Sequence, residues 1–186
     1  MRKNFGAKAL MYPMPVLIVA AYDENGKANA MNAAWGGIGD YTQITICISE
    51  GHKTTQNIFS KKAFTVSMAD AEHVVEADYL GIVSGHKEPD KMEKAGLHTT
   101  KSQFVDAPLI DEFPMALECE FVSYNRESGL LIGEIVNVSA DEKVLDDNGK
   151  IDPAKLQPIT YDPMNHVYLK LGEKVGNAFS DGKKIK

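Results

Sequence analysis

A mainly β architecture, a barrel with short helices inserted between its strands, is what this sequence predicts. Short β-branched or alternating apolar runs recur along it, among them Val16–Tyr22, Gln43–Ser49 and Ala63–Met68. Asn25-Gly26 and Asn148-Gly149 mark tight turns, since Asn-Gly readily supplies positive φ angles. Helical stretches are brief and isolated, without the repeated strand–helix alternation of a doubly wound sheet.

Val16–Tyr22 is almost unbroken in apolar residues, as a strand buried on both faces would be. Asp23–Lys27 turns the chain, and Ala28–Trp35 is expected to return as the partner strand. Gly36, Gly37 and Gly39 are expected to loosen the backbone before the alternating strand Gln43–Ser49. Thr54 or Thr55 is placed to cap a short helix ending at Lys61, where Lys61 and Lys62 suit the negative C-terminal end. After the strand Ala63–Met68, Asp70 is expected to cap a helix over Ala71–Leu80 that Gly81 stops. Ser84–Ser102 reads as a polar excursion with helical turns. Leu117–Tyr124 and Leu130–Val138 form a long hairpin across Asn125–Gly129. Asp146–Lys150 is a further turn, Pro153 opens a short helix, and the tail Lys183–Lys186 is expected to be solvated.

At 186 residues, 44% hydrophobic and 25% charged, the chain has the profile of a folded protein, expected as a single domain over residues 1–186. A formal net charge of −6 argues against coating nucleic acid and makes any phosphate site a local basic pocket. No apolar run is long enough for a bilayer, and Met1–Lys8 is too polar for a signal peptide, so no membrane partner is expected. Cys47 and Cys119 lack CxxC or metal-ligand spacing and lie in apolar runs. They are expected as buried free thiols in a reducing cytoplasm. The 5 histidines show no HxH or HExxH spacing, and no metal site is expected.

Two segments carry the functional signal. In Ser49–Asn57 a strand gives way to a helix start flanked by Gly51, Lys53, Thr54 and Thr55. Free N–H groups, a positive dipole end and a lysine there suit a phosphate. The same spacing also describes an ordinary capped helix with a solvated lysine. In Asn29–Gly37, small and polar residues surround the only tryptophan, so a flat polar ring has room to approach the backbone. A core tryptophan beside a glycine-rich turn is the competing description. A third stretch, Tyr79–Lys87, sets Gly81, Ser84 and Gly85 where backbone donors and a hydroxyl can meet a ligand, or where a helix simply ends.

Taken in order, Gly6–Val16, Asn29–Gly37, Lys53–Ile58, Tyr79–Gly85 and Tyr168–Phe179 resemble the flavin reductase-like, FMN-binding split-barrel proteins, flavoredoxins among them. The resemblance implies a split β-barrel of Greek-key type and a homodimer holding one FMN per subunit near the interface. It implies that Met31, Asn32, Ala33, Ala34 and Trp35 line the isoalloxazine, and that Ser49, Lys53, Thr54 and Asn57 hold the ribityl phosphate. Ser84, Gly85 and Lys91 are further expected contacts. The redox chemistry would reside in the cofactor, so no side chain is assigned a catalytic role. Two departures stand out: Asn32 where threonine is common, and Pro163–Tyr168 without the Gly-Asp-His that binds the nicotinamide nucleotide in many flavin reductases. Two functions follow from the resemblance. One is a flavin reductase taking hydride from NADH or NADPH; the other is an FMN electron carrier supplied by a redox partner protein.

Overall fold

The computed structural model describes residues 1–185. The first elements are β1 (Met14–Pro15), β2 (Leu17–Tyr22), β3 (Ala28–Ala33), β4 (Gly36–Asp40) and β5 (Gln43–Cys47). Helix α1 (Lys53–Lys61) leads to β6 (Ala63–Met68), and α2 (Val74–Ile82) to the short α3 (Lys91–Lys94). Then come β7 (Thr99–Lys101), β8 (Pro108–Ile110) and the long hairpin of β9 (Met115–Asn125) and β10 (Leu130–Ala140). A last turn of helix, α4 (Pro153–Leu156), precedes β11 (Ile159–Asp162) and β12 (Val167–Lys170). No helix among the described residues is long and apolar enough to cross a membrane.

Seven strands form one sheet in the order β3-β2-β6-β9-β10-β5-β4, every neighbouring pair antiparallel. Its two edge strands, β3 and β4, are separated in sequence only by Ala34 and Trp35. A flat sheet of that many strands would be roughly 29 Å wide at ~4.8 Å per strand. The link between Ala33 and Gly36 spans at most about 11 Å fully extended. The sheet therefore curls until its edges nearly meet, and the barrel stays split along the β3–β4 seam. The Trp35 carbonyl accepts from the Cys47 amide at 2.7 Å and pins that crossing to β5.

Curling gives β2 two buried faces. Leu17, Val19 and Ala21 point into the barrel with Ile44, Ile46 and Phe64. Val16, Ile18 and Ala20 point outward, under Ala77 and Leu80 of α2 and Ile159 of β11. An unbroken apolar run is what such a strand requires. A second, three-stranded sheet of β1, β11 and β12 lies over that outer face.

Several expectations are corrected. The return strand stops at Ala33, and the glycine stretch is itself strand β4. A Cβ on Gly36 would sit 2.9 Å from both the Thr45 carbonyl oxygen and Leu17 Cδ1, so only glycine pairs this closely with β5. Helix α1 is capped by neither threonine: it begins at Lys53 after His52, which offers no side-chain cap. Helix α2 begins at Val74, because Asp70 spends its carboxylate on the amides of Glu72 (3.0 Å) and His73 (2.9 Å) in a turn before it. It then runs through Gly81 to Ile82. Strands β11 and β12 carry no clear alternation in sequence and were not foreseen. Cys119 is fully buried, its thiol pushed up to about 12 by burial, but Cys47 is only partly buried. The tail makes a 3-10 turn over Asp181–Lys184, and Lys186 lies outside the described residues.

Candidate functional site: a basic cleft at the barrel edge

Strand β3 pairs with β2 on one side only, so a row of its backbone N–H and C=O groups faces away from the sheet. The first turn of α1 and the last turn of α2 approach that edge, and the loop Val83–Lys91 closes the third side. Between them lies a cavity of about 180 Å³. Asn29, Met31 and Asn32 come from β3, His52, Lys53 and Thr54 from the α1 start, and Leu80 to Gly85 with Lys91 from the opposite wall.

Its electrostatics are one-sided. No aspartate or glutamate lines the cavity, although the chain carries a net charge of −6. Helix α1 is long enough to present a dipole, and its N-terminal amides have no side-chain acceptor from His52. Lys53 stands at that terminus. Lys91 is 2% exposed, and its ammonium donates to the carbonyls of Leu80 (3.1 Å) and Val83 (2.9 Å), ending α2. Burial without a carboxylate partner holds Lys91 down at about 8. Partial burial, then the nearby Lys91 and His86, holds His52 below the usual histidine range. The His86 ring meets the Gly51 carbonyl through Nε2 at 3.2 Å, closing the outer rim.

The cleft is held in register by short-range bonds between distant segments. Asn29 Nδ2 donates to Thr54 Oγ1 at 2.6 Å, joining strand edge to helix start. Gly85 packs so closely that a Cβ there would lie 2.2 Å from Asn29 Oδ1.

Seven of the expected residues meet here: Met31, Asn32, Lys53, Thr54, Ser84, Gly85 and Lys91. The others do not line the cavity. Ala33 is 8% exposed and faces the barrel interior, and Ala34 is half-buried in the crossing. Trp35 is 59% exposed on the seam. Ser49 is exposed in the preceding turn, accepting from the Gly51 amide at 3.2 Å. Asn57 is buried and donates to the Ala21 carbonyl at 3.5 Å, fastening α1 to β2. Asn29 and His52 lie inside the two signal segments but were not singled out. A buried asparagine opposite a glycine, and a histidine next to Lys53, are the traces they leave. Among the described residues no group of three or more His, Cys, Asp or Glu side chains is placed to hold a metal.

A curled antiparallel sheet, split at its seam and carrying a basic cleft on its edge strand, defines a split-barrel protein. Residues 9–163 match the family described as flavin reductase like domain, and the chain belongs to that family. Among solved structures it is similar to the flavoredoxin of Desulfovibrio vulgaris (Miyazaki F), with 38% identity, a TM-score of 0.93, and 98% of this chain and 100% of that one covered. The flavoredoxin from Methanosarcina acetivorans aligns with a TM-score of 0.87 and 26% identity, covering 100% of this chain and 98% of that one. An FMN-binding domain of a flavin reductases-like enzyme from Shewanella baltica OS155 shares the fold at 20% identity, with a TM-score of 0.78 over 88% of each chain.

Proposed function

We propose that the cleft binds FMN and that the protein is a flavin-dependent oxidoreductase. The observation that carries this is a carboxylate-free pocket, in an acidic chain, built from Lys53, Lys91, His52 and the open N-terminus of α1. A phosphate monoester is the ligand such a pocket suits. Thr54 Oγ1, which accepts from Asn29, keeps its own proton to donate to a phosphate oxygen. The unpaired edge of β3 offers alternating donors and acceptors to the pyrimidine edge of a ring. Leu80, Ile82 and Val83 supply an apolar wall against water.

Bound FMN supplies hydride or electron transfer at N5. The chain's own part is to hold and orient. Lys53 and the α1 amides take the phosphate charge, Lys91 adds a desolvated cation, and the Asn32 amide faces the ring.

A cavity of about 180 Å³ is smaller than the ~300 Å³ at which small-molecule sites usually begin. A second copy of the chain completes it in this proposal, making a homodimer. Trp35, Ile38 and Tyr41, exposed along the seam, are apolar side chains that such a partner would cover.

Two electron sources remain in the proposal. In a flavin reductase NADH or NADPH donates hydride directly; in an electron carrier a redox partner protein supplies electrons instead. One observation favours the carrier. His166, in the turn between β11 and β12 where the Gly-Asp-His motif is missing, is bonded through Nδ1 to the Tyr161 hydroxyl at 2.7 Å. Anaerobic mixing of the FMN-loaded protein with NADH or NADPH decides: prompt bleaching of the flavin supports the reductase. Bleaching by dithionite alone supports the carrier.

A further inference from the structure

Past β12 the chain leaves the body of the protein. Every residue from Leu171 to Ser180 is exposed. Among the described residues no hydrogen bond or ion pair joins Val175–Ile185 to the rest of the chain. The segment is ordered by its own bonds instead. The Asn177 amide donates to Asp181 Oδ2 at 2.8 Å, and the Asp181 amide donates to the Asn177 carbonyl at 3.1 Å. Lys184 Nζ pairs with Asp181 Oδ1 at 2.9 Å. The turn they close holds Phe179 at φ 58°, a left-handed backbone that glycine adopts at less cost. The Phe179 ring is 99% exposed, and Val175 and Ile185 are comparably bare. A solvated tail has no use for apolar side chains, whereas this one presents a ring on a locally folded turn.

A second bare apolar surface lies on the seam, where Trp35, Ile38 and Tyr41 are exposed along or beside β4. Strand β4 pairs only with β5, so its other edge is open as well. We propose that Leu171–Ile185 is an arm that reaches a second copy of this chain and seats Phe179 against that copy's Trp35, Ile38 and Tyr41. The proposal rests on the homodimer of the FMN reading and names the segment that covers its seam. Charge fits the pairing: Lys174 and Lys183 on the arm, and Asp40 on the seam, form no ion pair among the described residues. Reach fits too, since Leu171–Gly176 spans up to about 20 Å at ~3.4 Å per residue. Each chain offers one arm and one seam, so two copies related by a two-fold axis satisfy both and leave neither over. Trp35 follows β3 by two residues, so the arm also brings partner side chains near the cleft.

Analytical ultracentrifugation of the full chain, Phe179→Gly, Trp35→Ala and the double variant reads the dimer dissociation constant. Phe179→Gly suits the left-handed backbone and removes only the ring, so the fold is kept. It is expected to raise the constant about 100-fold, because each dimer loses two buried rings. Trp35→Ala is expected to act similarly. The double variant should exceed either single one by less than about threefold, since both changes remove one contact. Multiplying effects would seat the arm elsewhere and overturn the inference, as would a Phe179→Gly dimer as tight as the full chain. A full chain that stays monomeric rejects the homodimer, and the arm with it. Failure to bind FMN, with the dimer and the coupling intact, rejects the FMN reading alone.

Discussion

Asn29 and Thr54 are joined by a side-chain bond of 2.6 Å, with the asparagine Nδ2 donating to the threonine hydroxyl oxygen, and both residues are buried. One belongs to the barrel's edge strand and the other to the first turn of α1. In the FMN proposal, this bond fixes the distance between the part of the cleft that holds the ring and the part that holds the phosphate.

Thr54→Val keeps the shape and removes the acceptor. Nδ2 of Asn29 is left buried and unpaired, which costs about 1–3 kcal/mol. Urea denaturation is expected to show that loss of stability, and FMN affinity is expected to fall with it. Unchanged stability would mean that the bond contributes nothing net.

Gly85→Ala tests the same joint from the other side. The new Cβ would lie 2.2 Å from Asn29 Oδ1, so Asn29 or the loop has to move. A loss of about 1–3 kcal/mol is expected, the usual size for overpacking a tight site. Gly37→Ala, where a Cβ meets nothing within 4 Å, is the control and is expected to be near neutral.

Lys91 makes a pH prediction. Its folded value of about 8 lies below the 10.5 of a free lysine, so the folded state releases its proton first as pH rises. Between about 8 and 10.5 the unfolded chain binds more protons, and stability from this group rises with pH across that window. Below 8 the desolvated charge is a standing cost. Lys91→Met is expected to remove this rise, visible as the difference between wild-type and variant denaturation curves at pH 7.5 and 9.5. FMN affinity should move the opposite way in wild type, weakening above pH 8 as the cation next to His52, Lys53 and His86 is lost.

Lys53→Ala separates phosphate from ring. FMN affinity is expected to fall about tenfold or more, while riboflavin, which lacks the phosphate, is bound as before. Equal losses for the two flavins would remove Lys53 from the phosphate contact.

Much of the barrel was legible because burial imposes a pattern. Strand β2 is apolar throughout since it has cores on both faces, and β6 matches its expected bounds, Ala63–Met68. Strand β4 was hidden because its glycines lack the side chains from which alternation is read. Lys53 and Thr54, expected from helix-start chemistry that is local in sequence, do line the cleft. Trp35 drew attention by its rarity; in the single chain it lies exposed on the seam and not in the cleft. The Asn29–Thr54 bond at the cleft and the Tyr168–Asp78 bond between β12 and α2 join residues 25 and 90 positions apart. Local periodicity carries no trace of such pairs.

The most direct measurement is a titration of the purified protein with FMN, followed by flavin fluorescence and visible absorbance, with riboflavin alongside. Saturation at one FMN per chain, with riboflavin held more weakly, is the predicted result. Flavin fluorescence and absorbance that stay unchanged by excess protein would contradict the account.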